Sequence, residues 1–342
     1  MQTPSTLKDL QRFLASLDWE DLRGQIEAET HMRLAVVGPV NAGKSTLFNL
    51  LEGRHRSATS AVPGITQELI ADWLGPFILV DTPGFGEIDG VDRATTALEA
   101  AQHATVIVLL LDAAAGVRQA DRDLYMRLLS LGHPVIVALN KIDLVGKDRA
   151  RVLADARQRL GGVHVIPISA RRGDGVATEL MPAIFGADPG MAVSIGRSLP
   201  AFRRLAAGRV VRVSAVTNAI IGVEPIPGLA IPLLLAGHIR LVLRIAAIYG
   251  ESITAERASE LIAAMAGGVL IRYLGGALAK FVPGPGWIVA SVLAWMGTIA
   301  IGQVAILYFE GGKQLSVPEL RHLYQHVRQQ ERRQLSFWSR RD

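Results

Sequence analysis

The chain contains no cysteine among its 342 residues. This absence excludes disulfides, thiolate-ligated structural zinc and a cysteine nucleophile. The G-x-S-x-G pattern of serine hydrolases does not occur either. Charged residues make up only 20% of the chain and aromatic residues 6%, whereas hydrophobic residues make up 50%. The composition therefore predicts extensive apolar packing, and the length allows two domains.

The most specific motif is G-x-x-x-x-G-K-S, at residues 38–45. It follows the apolar run 34–37 and precedes the helix-like segment 46–51, which is the strand–loop–helix context of a phosphate-binding P-loop. The glycines allow a tight turn that directs backbone N–H groups inward at a phosphate. Lys44 can reach the outer phosphates, and the Ser45 hydroxyl can ligate Mg²⁺. The residues predicted to surround the phosphates are Asn41, Ala42, Gly43, Lys44, Ser45 and Thr46.

A second motif indicates a magnesium site. The sequence Asp81-Thr82-Pro83-Gly84 follows the apolar run 77–80. An acidic residue at the end of a buried strand opposite a P-loop holds Mg²⁺, usually through water. We therefore predict that Asp81 supports the metal and that the Gly84 N–H contacts the γ-phosphate.

Two later motifs indicate that the base is guanine. Residues 140–143 (Asn-Lys-Ile-Asp) and 169–171 (Ser-Ala-Arg) each follow an apolar run. The Asp143 carboxylate can accept two hydrogen bonds from the N1 and N2 edge of guanine, a donor pair that adenine lacks. The Ala170 N–H can donate to guanine O6. Polar motifs at successive strand ends predict a doubly wound α/β sheet that binds its ligand at that edge. The predicted base-binding residues are Asn140, Lys141, Asp143, Ser169, Ala170 and Arg171.

With the motifs GPVNAGKS, DTPG, NKID and SAR in this order, residues of about 32–187 resemble an Era-like GTPase of the TrmE, Era and EngA type. The resemblance implies a P-loop GTPase domain with a mixed, mostly parallel six-stranded sheet, helices on both faces, and GTP, GDP and Mg²⁺ as ligands. Residues 63–66 resemble switch I of Era, in which Thr66 would be a second Mg²⁺ ligand. The implied metal ligands are Ser45, Thr66 and Asp81, and the implied catalytic residues are Lys44, Thr66, Asn41 and Gly84.

The residue after DTPG is Phe85, where Ras-like proteins carry a glutamine that orients the attacking water. Because a phenyl ring cannot hydrogen-bond to water, the chain resembles GTPases with a hydrophobic replacement of that glutamine. Asn41 matches the P-loop asparagine with which potassium-activated relatives hold K⁺ against the phosphates. The resemblance implies slow hydrolysis by the isolated monomer, leaves K⁺ activation open, and assigns the remaining activation to a nucleotide-dependent homodimer or another partner.

Positive charge is concentrated in the second half of the chain. Residues 188–342 carry seventeen Lys or Arg against nine Asp or Glu, a net charge of +8. This asymmetry suggests an anionic partner surface, either a membrane or a nucleic acid. The predicted organisation is an N-terminal amphipathic helix at 1–30, a GTPase domain at 31–187, a linker at 188–204, a hydrophobic helical domain at 205–312 and a basic tail at 313–342.

Three strongly apolar blocks occupy the second half, at 213–237, 261–279 and 286–309. The last block carries no charge and is long enough to cross a bilayer core of about 30 Å. Charges and prolines interrupt the first two blocks, so a water-soluble helical bundle with an apolar core is the alternative. We expect an all-α hydrophobic domain that associates with a membrane through 213–309, at the cytoplasmic face of the bacterial inner membrane; the alternative location is the cytoplasm.

Residues of about 205–312 also resemble a helical domain of YcjF-type inner-membrane proteins, in the runs 218–221, 240–250 and 297–302. That resemblance implies a membrane-linked effector domain under the control of a GTP-dependent switch. One rival function is a soluble GTPase associated with RNA or the ribosome, although no RNA-binding signature is evident. Another rival is a dynamin-like membrane-remodelling GTPase, for which the chain looks short.

Overall fold

The computed structural model describes residues 19–53, 71–82, 98–223, 230–252, 254, 257–262, 264, 286–312 and 315–338. The chain divides into an α/β unit, Glu29–Phe202, and a helical unit that contains Arg203–Asp342 together with the described residues before Glu29. The first described helix, α1, spans Trp19–Thr30. The remainder of the predicted N-terminal helix, 1–18, lies outside the described residues.

The α/β unit alternates strands with helices, as its apolar runs and turn signals predict. A short helical segment at 98–102 precedes β4. The elements are β1 (Leu34–Pro39), α2 (Lys44–Leu51), β2 (Ala71–Leu74), β3 (Phe77–Thr82), β4 (Val106–Asp112), α3 (Gln119–Ser130), β5 (Val135–Asn140), α4 (Arg149–Arg159), β6 (Val165–Pro167), α5 (Met181–Ala187) and α6 (Met191–Ser198).

The described strands form one sheet of six, in the order β2-β3-β1-β4-β5-β6. Neighbouring strands are parallel except β2, which is antiparallel to β3. The register sets Gly38 opposite Asp81, and Asp112 opposite Asn140. The polar residues that follow the apolar runs therefore meet along the carboxyl edge of the sheet, where such folds bind ligands. The predicted mixed, mostly parallel six-stranded sheet is confirmed.

Helix α6 lies within the segment 188–204, which the sequence predicts to be a linker. Six of its residues are buried: Met191, Ala192, Val193, Ser194, Ile195 and Gly196. The Ser194 hydroxyl donates to the carbonyl oxygen of Met32 at 2.6 Å, directly before β1. The Asp-Pro-Gly turn before α6 resembles a linker, but here the Asp188 carboxylate accepts the Gly190 N–H at 2.7 Å and leads the chain into a buried helix. The α/β unit accordingly extends to Phe202.

The helical unit contains α7 (Arg203–Val223), α8 (Ala230–Ile248), α9 (Gly286–Glu310) and α10 (Val317–Trp338), with a short helical segment at 257–262. Helix α9 packs against α7, α8 and α10, and α8 also packs against α7. The predicted C-terminal helical region is confirmed. The apolar block 213–237 is divided between α7 and α8, whereas most of the block 261–279 lies outside the described residues.

Helices α7 and α9 form an antiparallel pair along most of their length. Arg204, at the start of α7, forms an ion pair with Glu310, at the end of α9, at 3.6 Å. Farther along, a Cβ on Gly302 would lie 2.5 Å from Val211 Cγ2. At the opposite end, a Cβ on Gly222 would lie within 3.0 Å of the first turns of α9. Glycine at these two crossings lets the helix backbones approach closely.

Three polar side chains are buried where α7, α8 and α9 meet. Asn218 Nδ2 donates to Thr298 Oγ1 at 3.0 Å, and His238 Nε2 lies 3.0 Å from the same oxygen. Because the Thr298 hydroxyl donates its single hydrogen to the Ala294 carbonyl at 2.7 Å, His238 Nε2 must carry a proton and donate it. Burial lowers the pKa of His238 to about 4, so the imidazole is neutral at pH 7.

Among the described residues, two helices have the length and apolar composition needed to cross a bilayer, at Pro200–Gly222 and Ala290–Glu310. This is weak evidence for a span, because the core helix of a water-soluble protein meets the same criteria. In the most apolar 18-residue stretch of each, 72% is buried within the protein in the second helix, against 39% in the first. Helix α9 is therefore the core helix of the helical unit.

Candidate nucleotide-binding site

The P-loop connects β1 to α2 and contains two residues with left-handed backbone, Asn41 (φ 67°) and Gly43 (φ 97°). A Cβ on Gly43 would lie 2.3 Å from Asn140 Nδ2, so both the backbone angle and the available space require glycine. Gly43 is also the N-cap of α2 and has no side chain with which to cap it. The first N–H groups of α2 are consequently available to bind an anion, and the helix dipole favours one at this position.

Lys44 places its ammonium group inside the P-loop. The residue is only 5% exposed, and Nζ donates to the carbonyl oxygens of Gly38 at 2.7 Å and Pro39 at 2.8 Å. A buried ammonium is costly unless it is hydrogen-bonded and its charge is balanced. The two carbonyls hold it in position, and a phosphate oxygen would add an opposite charge. The arrangement fits the phosphate-binding role that the sequence predicts for Lys44.

The residues predicted to hold Mg²⁺ are described only in part. Ser45 and Thr46 are exposed at the start of α2, and the backbone of Asp81 lies opposite Gly38 at the end of β3. Thr66 and Gly84 lie outside the described residues, as does Phe85, so their roles stay predictions. The described part of the chain has no group of three or more His, Asp or Glu able to hold a metal. A Mg²⁺ ion at Ser45 would therefore draw its other ligands from nucleotide phosphates, water and the predicted residues Asp81 and Thr66.

Asn140 joins the P-loop to the loop after β6. The side chain is buried, its Nδ2 donates to the Ala42 carbonyl at 2.8 Å, and its Oδ1 accepts the Ala170 N–H at 2.8 Å. One amide thus fixes the spacing of the phosphate loop and the predicted base loop. Since Asn140 engages the Ala170 N–H in this structure, the donation of that N–H to guanine O6 stays a prediction.

Asp143 presents a buried carboxylate at the carboxyl edge of the sheet. Its side chain is 5% exposed, and Oδ1 is buried without a hydrogen-bond partner among the described residues. The Ser169 hydroxyl donates to the carboxylate and lowers the pKa of Asp143, so the group is ionised. Arg172 also favours the ionised carboxylate, because its side-chain Nε lies 3.8 Å from Asp143 Oδ2. The backbone N–H of Arg172 donates to Ser169 Oγ at 3.2 Å. An ionised acceptor with one unpartnered oxygen suits a base that offers two adjacent N–H donors.

Lys141 adopts left-handed backbone (φ 63°) between Asn140 and Asp143. Its ammonium lies 2.6 Å from Asp112 Oδ2, and Asp112 Oδ1 accepts the Ala114 N–H at 2.8 Å. Asp112 ends β4, and the register sets it opposite Asn140. The ion pair therefore fixes the loop that carries the predicted base-reading residues. Arg171 is exposed, and its positive charge also favours the ionised form of Asp143.

Comparison with known proteins agrees with this geometry. A family model described as "50S ribosome-binding GTPase" matches residues 33–141, which include the P-loop, Asp81 and Asn140. GTPase Der of Desulforudis audaxviator (strain MP104C) is 35% identical over 199 residues, covering 56% of this chain and 44% of Der. The tRNA modification GTPase MnmE of Moorella thermoacetica is 34% identical over 189 residues, covering 51% of this chain and 39% of MnmE.

The α/β unit carries a P-loop GTPase domain that is similar to those of Der and MnmE. A crystal structure of a variant of Aquifex aeolicus Era bound to GDP·AlF4⁻ is also similar, at 27% identity, covering 54% of this chain and 67% of that chain with a TM-score of 0.36. The matched segment spans less than half of the Der and MnmE relatives. The resemblance of the C-terminal region to YcjF-type proteins stays a prediction.

In the described part of the GTPase domain, hydrogen bonds link Asn140 with Ala42 and Ala170. The sequence analysis did not identify Asp112 or Arg172 as parts of this region. Asp112 could have been identified, because it is the acidic residue that ends the apolar run of β4, the strand beside the one that ends at Asn140. The only sequence feature that could have identified Arg172 is its position directly after the predicted base-binding residues 169–171.

Proposed function

We propose that this protein binds GTP with Mg²⁺, hydrolyses it slowly, and uses the change of bound nucleotide to control its helical unit. The observation that carries the proposal is the buried Asp143 carboxylate, ionised and with Oδ1 unpartnered among the described residues. It lies on the loop that begins at Asn140, and Asn140 bonds directly to the P-loop. Guanine offers adjacent N1–H and N2–H donors, whereas adenine would leave the carboxylate without donors.

The phosphate end of the site supports a triphosphate with a metal ion. Lys44 and the N-terminal N–H groups of α2 bind phosphate oxygens, and the exposed Ser45 hydroxyl ligates Mg²⁺. Asp81 and Thr66 complete the metal shell in this proposal, and the Gly84 N–H contacts the γ-phosphate. When bound, the metal neutralises the charge that develops on the transferred phosphoryl group.

Slow hydrolysis follows from the residue that would face the attacking water. Phe85 offers no hydrogen bond to orient that water. Asn41 is exposed on the P-loop and is the residue that would help to hold a K⁺ ion. A nucleotide-dependent homodimer would be a second source of acceleration. Hydrolysis measured in KCl and in NaCl at matched ionic strength separates the two, because only K⁺ activation depends on the identity of the cation.

Equilibrium binding of a fluorescent GTP analogue tests the nucleotide assignment. Lys44→Ala removes the buried ammonium, and Ser45→Asn removes the metal-binding hydroxyl, so we expect both variants to lose tight GTP binding. Lys147→Ala, at an exposed position after the base loop, is the matched control. Tight binding by Lys44→Ala and Ser45→Asn would show that the P-loop does not hold the phosphates.

We propose further that the helical unit acts at the cytoplasmic face of the bacterial inner membrane. The support is the net charge of +8 over residues 188–342. Basic segments are attracted to anionic lipid surfaces. Cell fractionation tests this location, and recovery of the full-length protein only from the soluble fraction would contradict it.

Association with the ribosome is a second candidate, because the matching family model is described as a 50S ribosome-binding GTPase. The basic second half of the chain is compatible with RNA as well as with lipid. Co-sedimentation with purified 50S subunits in the presence of a non-hydrolysable GTP analogue tests this candidate. Salt-resistant, nucleotide-dependent co-sedimentation would favour the ribosome over the membrane.

A further inference from the structure

The helical unit has two poles that differ in chemistry. At the first, which we call the charged pole, Arg204 pairs with Glu310. The Tyr249 hydroxyl, just beyond the end of α8, donates to Glu310 at 2.8 Å, and the Arg203 guanidinium lies 6.0 Å from the centre of the Tyr249 ring. The charged pole therefore brings together the start of α7, the end of α8 and the end of α9.

The opposite pole contains the end of α7 and the starts of α8 and α9. Four large aliphatic side chains are exposed there and define the apolar tip: Val216 (55% exposed), Ile220 (68%), Leu233 (42%) and Val292 (41%). Val216 and Ile220 are four residues apart and so share one face of α7. Three helices thus contribute exposed aliphatic side chains to the same pole.

Exposed arginines lie behind this tip on two of the helices. Arg212 is one turn behind Val216 and two turns behind Ile220 on the same face of α7, and Arg240 is two turns from Leu233 on α8. At 1.5 Å per residue, Arg212 lies about 6 Å along the axis from Val216 and about 12 Å from Ile220, and Arg240 about 10 Å from Leu233. On both helices the order is the same, with exposed aliphatic residues nearer the pole and a guanidinium about 6–12 Å behind them.

This order matches the profile of one leaflet of an anionic membrane. Apolar side chains enter roughly 5–10 Å into the boundary between headgroups and acyl chains, while basic side chains remain at the phosphates. A protein partner fits less well, because four partly exposed aliphatic side chains offer on the order of 300 Å². A stable protein interface buries roughly 800 Å² on each partner and is enriched in Trp and Tyr.

We propose that the apolar tip enters a single leaflet of a bilayer that contains anionic phospholipid, with Arg212 and Arg240 at the level of the phosphates. The helices enter by their ends, and α9 remains covered by its own neighbours along most of its length. This inference rests on the proposed membrane function and deepens it by naming the contact surface and its depth.

The absence of cysteine from the chain gives a direct test. Ile220→Cys creates a single thiol for an environment-sensitive NBD fluorophore, and Met126→Cys, at a 57% exposed position on α3, is the matched control. The full-length proteins are titrated with vesicles of phosphatidylcholine containing 30% phosphatidylglycerol, and with vesicles of phosphatidylcholine alone. We expect NBD emission at position 220 to rise at least threefold and shift to the blue on the anionic vesicles, with no change at position 126.

A second pair of variants gives an independent measurement. In vesicle flotation, Ile220→Glu should reduce the bound fraction at least fivefold, whereas Met126→Glu should not change it. Arg212→Gln should weaken binding to anionic vesicles and leave any residual binding to neutral vesicles unchanged. Alkaline carbonate should release the wild type, since in this proposal the described helices enter the bilayer only by their ends.

The outcomes distinguish the proposed contact through the apolar tip from membrane association in general. Equal flotation of Ile220→Glu and Met126→Glu, with no emission change at position 220, would contradict insertion of the apolar tip. Membrane association by another surface would still be consistent with that result. No flotation of the wild type would overturn membrane association altogether. A rise in NBD emission with protein concentration in the absence of vesicles would identify the tip as a contact between copies and would also overturn the proposal.

Discussion

The Asn140 side-chain amide donates to the carbonyl oxygen of Ala42, 98 residues earlier in the chain, at 2.8 Å. The same side chain accepts the Ala170 N–H from the loop after β6. A single residue therefore sets the distance between the phosphate loop and the predicted base loop, so its loss should affect folding and nucleotide binding together.

We expect Asn140→Ala to lower the free energy of unfolding of the α/β unit by about 2–4 kcal/mol, because it leaves the Ala42 carbonyl and the Ala170 N–H buried without partners. Affinity for GTP should also fall. Thermal unfolding with and without GTP measures both effects. Gln158→Ala, at an exposed position in α4, should change neither. Wild-type stability of Asn140→Ala would show that the two loops are positioned by other contacts.

Asp143→Asn should change the base preference. The amide can donate to the O2 carbonyl of xanthine while its oxygen still accepts N1–H, but it cannot accept both guanine donors. We expect GTP affinity to fall by roughly 100-fold, because a buried N–H is left unpaired, and xanthosine triphosphate to become the better competitor. Competition against a fluorescent analogue measures the change, with Asp155→Asn on α4 as control. An unchanged preference for GTP would mean that Asp143 does not contact the base.

His238 should make the helical unit sensitive to acid. Its pKa in the folded protein is about 4 because of burial, whereas an unfolded histidine has a pKa near 6.5. Between these values the unfolded chain binds more protons, so the stabilising contribution is complete above pH 6.5 and falls by up to about 1.4 kcal/mol per unit as pH drops towards 4. Urea unfolding at pH 7 and pH 5 measures this loss.

His238→Gln keeps a side-chain donor for Thr298 and removes the titration. We therefore expect a smaller difference between the urea midpoints at pH 7 and pH 5 than in the wild type. His322→Gln, exposed on α10, should retain the full difference. If His238→Gln behaved like the wild type, the acid sensitivity would have to come from other groups.

Two glycines should respond to alanine in opposite directions. A Cβ on Gly302 would lie 2.5 Å from Val211 Cγ2, so Gly302→Ala must displace α7 or α9, at a cost of about 1–3 kcal/mol. A Cβ on Gly208, in α7, meets nothing within 4 Å. Because alanine favours a helix over glycine by up to about 1 kcal/mol, Gly208→Ala should stabilise the same unit. Chemical denaturation of both variants tests how closely α7 and α9 pack; equal effects would contradict the close crossing.

The GTPase domain could be predicted from sequence because its motifs are local. The spacing of Gly38, Gly43 and Lys44 identifies the P-loop, and the apolar runs before Asp81 and Asn140 identify the strands. The Lys141–Asp112 ion pair was not predicted, since it joins residues on different strands that come together only in the folded sheet. The burial of α6 was missed because the Asp-Pro-Gly turn that begins it has the composition of a linker.

In the helical half, the sequence predicts apolar segments but not how they pack. Length and composition mark the block 286–309 as apolar, but they do not reveal what covers it. The structure places α7, α8 and α10 around α9. Residues such as Asn218 and Thr298 gave no periodic signal, because a buried polar contact between helices depends on register that only packing determines.

The antiparallel pairing of α7 and α9 gives the helical unit the mechanics of a lever. Helix α7 begins at Arg203 and α9 ends at Glu310, so the start of α7 and the end of α9 lie at the same pole. Helix α7, with 21 residues, is about 31 Å long. If α7, α8 and α9 tilted together by about 10° at the pole of Arg204 and Glu310, the opposite pole would move through about 5 Å, a displacement comparable with one helical turn. A small rearrangement at the Arg204–Glu310 pair would thus be enlarged at the opposite pole.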